Sequence, residues 1–258
     1  MPQVELAKEN TNTTATTIWA LPGANLTLAA DEVHVWRIAA FNNESDLASC
    51  AALLSEAEQA RAGRFKFERD RRLFTVAHGA VRSICASYLR TTPRSIEFVE
   101  GRYGKPKLTS SSRTGLEFNL SHSGELALIA AALRREVGVD LECVRDFDFE
   151  KVAERFFTAR EVAALRSVPK AQQRSAFYKC WTSKEAFLKA KGTGLSGELD
   201  EVEIAPTDDG DVRIRAGVPG WSLMELPVGD GYVAALVSQG APVRVKLYEW
   251  ASSSTTSQ

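Results

Sequence analysis

VGVDLECV, residues 137–144, is the stretch on which the fold turns. Its apolar and acidic side chains alternate, the pattern of a β-strand. Val139 and Leu141 would share one face, and Asp140 and Glu142 the other. A second stretch, HVWRIAAF (34–41), overlays it at an offset of 103 residues, and the offset carries on outward. Ser55 overlays Thr158, and Glu58 overlays Glu161. A Ser or Thr three residues before a Glu is the capping-box signature of a helix start. Phe74 and Ile84 overlay Phe177 and Phe187, inside two long runs of helical periodicity, 70–89 and 174–190. Phe118 and Leu120 overlay Trp221 and Leu223, and the run 127–133 overlays YVAALV (232–237) with about one residue of slippage.

The order strand, helix, long helix, strands therefore occurs twice, which predicts a pseudo-duplicated α+β protein. The halves are expected to pack face to face, with a ligand cleft between them. The expected division is a flexible N-terminal extension over 1–30, an N-terminal half over 31–135, a C-terminal half over 136–250, and a flexible tail over 251–258. The extension is rich in Thr, Asn and Ala without periodicity, and the tail ends in SSSTTSQ. Within the first half, SHSG (121–124) reads as a turn between the strands LEFNL and ELALIAAAL, and GRYGKPKL (101–108) reads as a turn from its Gly and Pro content.

Apolar residues make up 44% of the chain and charged residues 25%, so a sizeable core in a water-soluble protein is expected. The formal net charge is −1, which excludes a global field drawing the chain to nucleic acid or membrane. Any anion site must be built locally. Cys50, Cys85, Cys143 and Cys180 form no C-x-x-C pair and no zinc-ligand spacing, which points to reduced thiols and a cytoplasmic protein. No signal-peptide pattern is present, and the longest apolar run, LALIAAAL (126–133), is too short to span a bilayer. Neither a P-loop nor a G-x-S-x-G elbow occurs.

Asp140 and Glu142 side by side repel each other unless something positive lies near them. A hard cation such as Mg²⁺ would supply it. Two ordinary acids on a solvent-facing strand fit the same pattern. WTSKEAFLKAKGTGL (181–195) places Glu185 and Lys189 four residues apart on one helix, beside Trp181, Phe187 and Leu188. An i, i+4 pair of this kind decorates many helix surfaces. The neighbouring aromatic and aliphatic residues argue that this helix is largely buried, where a charged pair needs a partner or ligand. Cations elsewhere include His122 in SHSG, Lys105 in YGKP, and Arg61; each alone is ordinary.

Together these pieces resemble the 4′-phosphopantetheinyl transferases of the Sfp type. GKPKL (104–108), FNLSHSG (118–124), VGVDLE (137–142), FT-x-x-E (157–161) and WTSKEAFLKAKGTGL (181–195) occur in that family's order, and RFKFERDRRLF (64–74) is similar to its N-terminal half. The resemblance runs from about residue 32 to 240. It implies two similar α+β halves with the active site in the cleft between them. It implies transfer of the phosphopantetheine arm of coenzyme A to a serine of an apo acyl or peptidyl carrier protein, releasing 3′,5′-ADP. It also implies Mg²⁺, with Mn²⁺ as a substitute, on Asp140, Glu142 and Glu185. Ser121, His122, Lys105, Arg61 and Lys189 match its contacts to the coenzyme's phosphates. Glu185 would take the serine proton, and Lys189 would stabilise or protonate the leaving phosphate. A monomer is expected, since the two halves supply both sides of the cleft. The rival reading is a non-catalytic module that binds coenzyme A or a carrier protein.

Overall fold

The structure is a computed structural model and describes residues 19–23, 26–40, 44–101, 106–109, 111–193, 202–207, 212–216 and 219–251. In chain order the elements of the first half are β1 (Glu32–Ala39), α1 (Glu44–Leu53), α2 (Glu56–Ala62), α3 (Glu68–Leu89), β2 (Phe98–Glu100), β3 (Pro106–Leu108), α4 (Ser111–Thr114), β4 (Leu116–Ser123) and β5 (Leu126–Leu133). Then follow β6 (Val137–Cys143), α5 (Phe149–Phe156), α6 (Ala159–Ser167), α7 (Lys170–Lys191), β7 (Glu203–Pro206), β8 (Val212–Ala216), β9 (Trp221–Glu225), β10 (Tyr232–Gln239) and β11 (Arg244–Glu249).

Two sheets stack between two long helices. The first sheet has the order β11-β1-β5-β4 and the second β6-β10-β9. On the outer face of the first, α3 buries Val76, Ala80 and Ile84 against Trp36, Ile38 and Ile129. On the outer face of the second, α7 buries Phe177 and Phe187 against Val233, Ala235 and Val237. The inner faces meet through Val33, Val35, Leu128, Val139, Leu141 and Leu236. Alternation along β6 thus puts Val139 and Leu141 into the inter-sheet core, as its period of two requires.

The duplication is visible in detail. β1-β5-β4 in one half corresponds to β6-β10-β9 in the other. Both predicted capping boxes form, Ser55 with Glu58 and Thr158 with Glu161. Each capping glutamate also binds a cation from the long helix of its own half. Arg82 of α3 donates to Glu58 at 2.7 Å, and Lys184 of α7 lies 2.7 Å from Glu161. Each cation then donates at 2.8 Å to a backbone carbonyl beyond its helix, Arg82 to Ile96 and Lys184 to Val202. α3 and α7 both end on a residue in the left-handed region, Arg90 at φ 51° and Gly192 at φ 71°.

Several features depart from the sequence reading, and one is that the expected turn over 101–108 ends in a strand, β3, which pairs with β2. Ser121, His122 and Ser123 belong to β4 itself, and the turn is only Gly124 and Glu125, with Gly124 at φ 63°. Part of the expected flexible extension over 1–30 is packed. Trp19 is buried and donates to the Pro227 carbonyl at 2.7 Å, and Ala20 bridges to Tyr248. Residues 1–18 and the tail beyond residue 251 lie outside the described residues. The last strand of the expected 136–250 half, β11, pairs in parallel with β1 in the first sheet.

Gly138 of β6 sets the distance between that strand and α7. A Cβ there would stand 2.0 Å from the Ala186 carbonyl oxygen and 2.4 Å from the Ala190 nitrogen, both helix backbone that cannot step aside. Gly138→Ala is expected to push α7 off β6, at a cost of about 2–3 kcal/mol from overpacking. Because α7 carries Glu185 and Lys189, any activity that uses those two residues should fall further than the loss of folded protein explains. Denaturant melts beside initial rates check this; normal rates per folded molecule would show that the spacing is not critical.

Candidate active site

Asp140, Glu142, Glu185 and Lys189 meet in a cleft of about 280 Å³, lined also by Leu120, Ser121, His122 and Trp181. Three elements build it. β6 presents Asp140 and Glu142 on the face away from the inter-sheet core. α7 crosses that face at Gly138 and brings Glu185 and Lys189, one turn apart. β4 contributes Ser121 and His122 from the first half. The cleft therefore lies where the two halves join.

The hydrogen bonds define how the site is held. Lys189 Nζ donates to Asp140 Oδ1 at 2.5 Å and to Ser121 Oγ at 2.9 Å. Ser121 Oγ donates in turn to Asp140 Oδ1 at 3.0 Å and accepts the Leu141 N–H at 3.2 Å. Glu142 Oε2 accepts from Ser123 Oγ at 3.0 Å. Asp140 Oδ2 and Glu185 Oε1 are buried and make no hydrogen bond. Buried carboxylate oxygens without partners are costly. They are also the hard donors that a small divalent cation takes, so the donor set fits Mg²⁺ or Mn²⁺. Among the described residues, no three His, Cys, Asp or Glu side chains stand together so as to hold a metal ion, and the fit rests on the chemistry of these oxygens. Lys189 is the cation that Asp140 contacts.

The electrostatics follow from crowding. Burial lifts Glu185 to about 7, with the Asp140 charge adding to the rise, Lys189 opposing it, and Glu142 adding again. Burial and then Asp140 also raise Glu142 above its ordinary value, against the Ser123 hydrogen bond. His122, exposed at the surface of the cleft, is held below its ordinary value by desolvation of its ring and then by the positive charges of Lys189, His78 and Arg61.

A larger pocket of about 640 Å³ adjoins through the shared residue Leu120. Arg61, Arg82 and Arg94 line it together with the acids Glu58, Glu97 and Glu100, Arg82 being paired with Glu58, and Phe98, Pro106 and Phe118 form part of its apolar wall. Arg61 is exposed on α2 with its guanidinium 5.4 Å from the Phe74 ring centre. It therefore lines this second pocket and not the carboxylate cleft. Lys105 lies outside the described residues. Lys184, next to Glu185 in sequence and so about 100° round α7 from it, is fully buried against Glu161 and takes no part in the cleft.

The sequence reading passed over Asn119 and Ser123. Their signal was present: in NLSHS the polar residues Asn119, Ser121 and Ser123 recur every second position, one face of a strand. Reading SHSG as a turn hid it. All three side chains accept backbone N–H groups of β6, from Val139 at 2.8 Å, Leu141 at 3.2 Å and Cys143 at 3.0 Å. No described strand pairs with that edge of β6; these side chains take the place of a strand's carbonyls.

The profile of the 4′-phosphopantetheinyl transferase superfamily matches residues 136–237, and that of the 4′-phosphopantetheinyl transferase N-terminal region matches residues 41–134. The 4′-phosphopantetheinyl transferase HetI of Nostoc sp. strain PCC 7120 is 44% identical over 234 residues, which span 90% of this chain and 98% of HetI. The 4′-phosphopantetheinyl transferase Sfp of Bacillus subtilis strain 168 is 31% identical over 164 residues, 64% of this chain and 71% of Sfp. A solved holo-(acyl-carrier-protein) synthase from Bacillus anthracis, in complex with CoA (3′,5′-ADP), overlaps 41% of this chain and 96% of its own at 18% identity and a TM-score of 0.33. With a profile match in each half and a relative this similar along nearly its whole length, the chain belongs to the 4′-phosphopantetheinyl transferases.

Proposed function

We propose that the chain transfers the 4′-phosphopantetheine arm of coenzyme A to a serine hydroxyl of an apo acyl or peptidyl carrier protein, releasing 3′,5′-ADP, with Mg²⁺ or Mn²⁺ held by Asp140, Glu142 and Glu185. The observation that carries the metal reading is the pair of buried, unpartnered oxygens, Asp140 Oδ2 and Glu185 Oε1, in a cleft between the halves. A module that only binds coenzyme A has no need of three acids beside a phosphate site.

Asp140, Glu142 and Glu185 would hold a divalent ion, which when bound would supply positive charge to offset that developing on the departing phosphate. The remaining work falls to the protein. Glu185 is the cleft carboxylate that would accept the serine proton. Lys189 brings a positive charge to the rim where the leaving phosphate would lie. Its present contacts are Asp140 and Ser121, so it is already oriented by the groups around it. Ser121 has its hydroxyl engaged with Asp140 and the Leu141 N–H, and we read its part as fixing Asp140 and Lys189. His122 and Arg61 are placed to meet phosphate groups extending from the cleft toward the larger pocket, and Lys105 is retained as a phosphate contact on sequence grounds. Both sides of the cleft come from one chain, which supports action as a monomer in the cytoplasm; no described helix is long and apolar enough to cross a membrane.

The test is intact-mass measurement of apo carrier proteins incubated with the protein, coenzyme A and Mg²⁺, with a parallel sample in EDTA. A gain of one phosphopantetheine that EDTA abolishes is expected. Full transfer in EDTA would remove the metal from the proposal. Coenzyme A binding without transfer to any of several apo carriers would favour the binding module.

A further inference from the structure

The tip of the β4–β5 hairpin is fastened to the second sheet. At Gly124 a Cβ would fall 2.5 Å from the Tyr232 hydroxyl oxygen, so only glycine lets the turn lie against that ring. The next residue, Glu125, donates its backbone N–H to the same hydroxyl at 3.0 Å. Tyr232 stands on β10 directly opposite Cys143 of β6. This contact fixes the last residue of β4, Ser123, beside the end of β6. Its hydroxyl makes two bonds there, accepting the Cys143 N–H at 3.0 Å and donating to Glu142 Oε2 at 3.0 Å.

We propose that Ser123 is a positioning residue for this reaction: through its two hydrogen bonds it sets the orientation of the Glu142 carboxylate as a metal ligand. The inference rests on the metal reading given above and adds a residue to it. Glu142 is only half-buried and sits at the end of β6, next to the irregular stretch that begins at Val144. A glutamate has three side-chain torsions, so an unrestrained carboxylate there would sample several directions. The Ser123 hydroxyl holds one oxygen and leaves the other to face a cation. It also takes a backbone N–H one residue away, so the strand and the carboxylate are located by a single atom. Hydrogen bonds to a ligating carboxylate from outside the ligand shell commonly affect metal affinity about 10–100-fold.

The test uses the full chain with excess coenzyme A, titrated with Mn²⁺, and reads free Mn²⁺ by electron paramagnetic resonance. Ser123→Ala and Ser123→Val are expected to bind Mn²⁺ about tenfold more weakly. Ser123→Thr, which matches Val in shape and keeps the hydroxyl, is expected to bind within about twofold of wild type. In rate assays the Ala and Val variants should need more Mn²⁺ for half-maximal rate and approach wild-type turnover when it saturates. Wild-type affinity in all three variants would overturn the proposal. Equal loss in Thr and Val would also overturn it, since that traces the effect to bulk. Failure of the wild type to bind Mn²⁺ would overturn the metal reading and this inference together, whereas binding that ignores Ser123 would overturn this inference alone.

Discussion

Glu185→Gln is expected to lower the rate of carrier modification by about 10²–10⁴-fold while making the metal-free protein more stable at pH 8. The substitution keeps the shape and removes one negative charge. It removes a proton acceptor and a metal ligand, which accounts for the lost rate. The stability effect has its own sign. Burial and the Asp140 charge raise the folded carboxyl from 4.5 to about 7. A carboxyl raised in this way is disfavoured in the folded state wherever it must be ionised. The penalty is fully present above pH 7 and disappears as pH falls from 7 toward 4.5, because the folded chain then binds the proton first. Glutamine never carries the penalty. The metal-free variant should therefore gain about 2 kcal/mol at pH 8, after allowing for partial solvent screening, and nothing near pH 4.5. Thermal melts in EDTA at both pH values, beside intact-mass rates, test both parts. A variant that kept most of its turnover would remove Glu185 from the chemistry. A variant less stable than wild type at pH 8 would show that the carboxylate is not strained there.

Lys184→Met is the substitution expected to cost the most stability, about 3–5 kcal/mol. Lys184 and Glu161 are both fully buried, 2.7 Å apart. Without the ammonium, Glu161 becomes an uncompensated charge in the core, and the Val202 carbonyl loses its donor. Glu161 also accepts the Thr158 N–H and the Ile204 N–H, each at 2.7 Å, so the pair ties α6, α7 and β7 together. Removing the carboxylate as well, in Glu161→Met with Lys184→Met, should recover part of the loss but leave those two N–H groups unpaired. Urea unfolding of the two single variants and the double variant measures the coupling. A Lys184→Met midpoint equal to wild type would contradict the reading.

Neighbours in sequence stand about 100° apart on a helix, and this limited what could be read in advance. Lys184 and Glu185 are adjacent in WTSKEAFLKAKGTGL, and the spacing of apolar residues there does not say which one meets the cleft. Gly138 decides it, by letting β6 press against the backbone of Ala186 and Ala190. Asp140 and Glu142 were legible because a strand has a period of two and their neighbours are apolar. The capping boxes were legible because the motif is local and chemical. β11 was missed because its partner, β1, lies some 210 residues earlier, and six residues of half-buried strand carry little signal of their own. Helix α1, ESDLASCAAL, was missed for a related reason: it buries only Cys50 fully and shows no clear apolar stripe. The turn SHSG was placed too early because serine and glycine favour turns. Here Ser121 and Ser123 serve as strand residues whose hydroxyls bind the neighbouring edge.

The parallel pairing of β11 with β1 has a consequence for how the chain is made. β1 leaves the ribosome long before β11, and β5 can cover one of its edges as soon as the first half has emerged. The other edge, Glu32 through Arg37, waits for Arg244 through Glu249. During that interval a strand carrying Val33, Val35 and Trp36 has an open line of backbone donors and acceptors, the kind of edge that recruits foreign strands. Its closure must wait until residue 249 has been synthesised, and it joins segments about 210 residues apart in one sheet. The first half is thus a continuous stretch of sequence whose sheet is completed by a strand from the far end of the second.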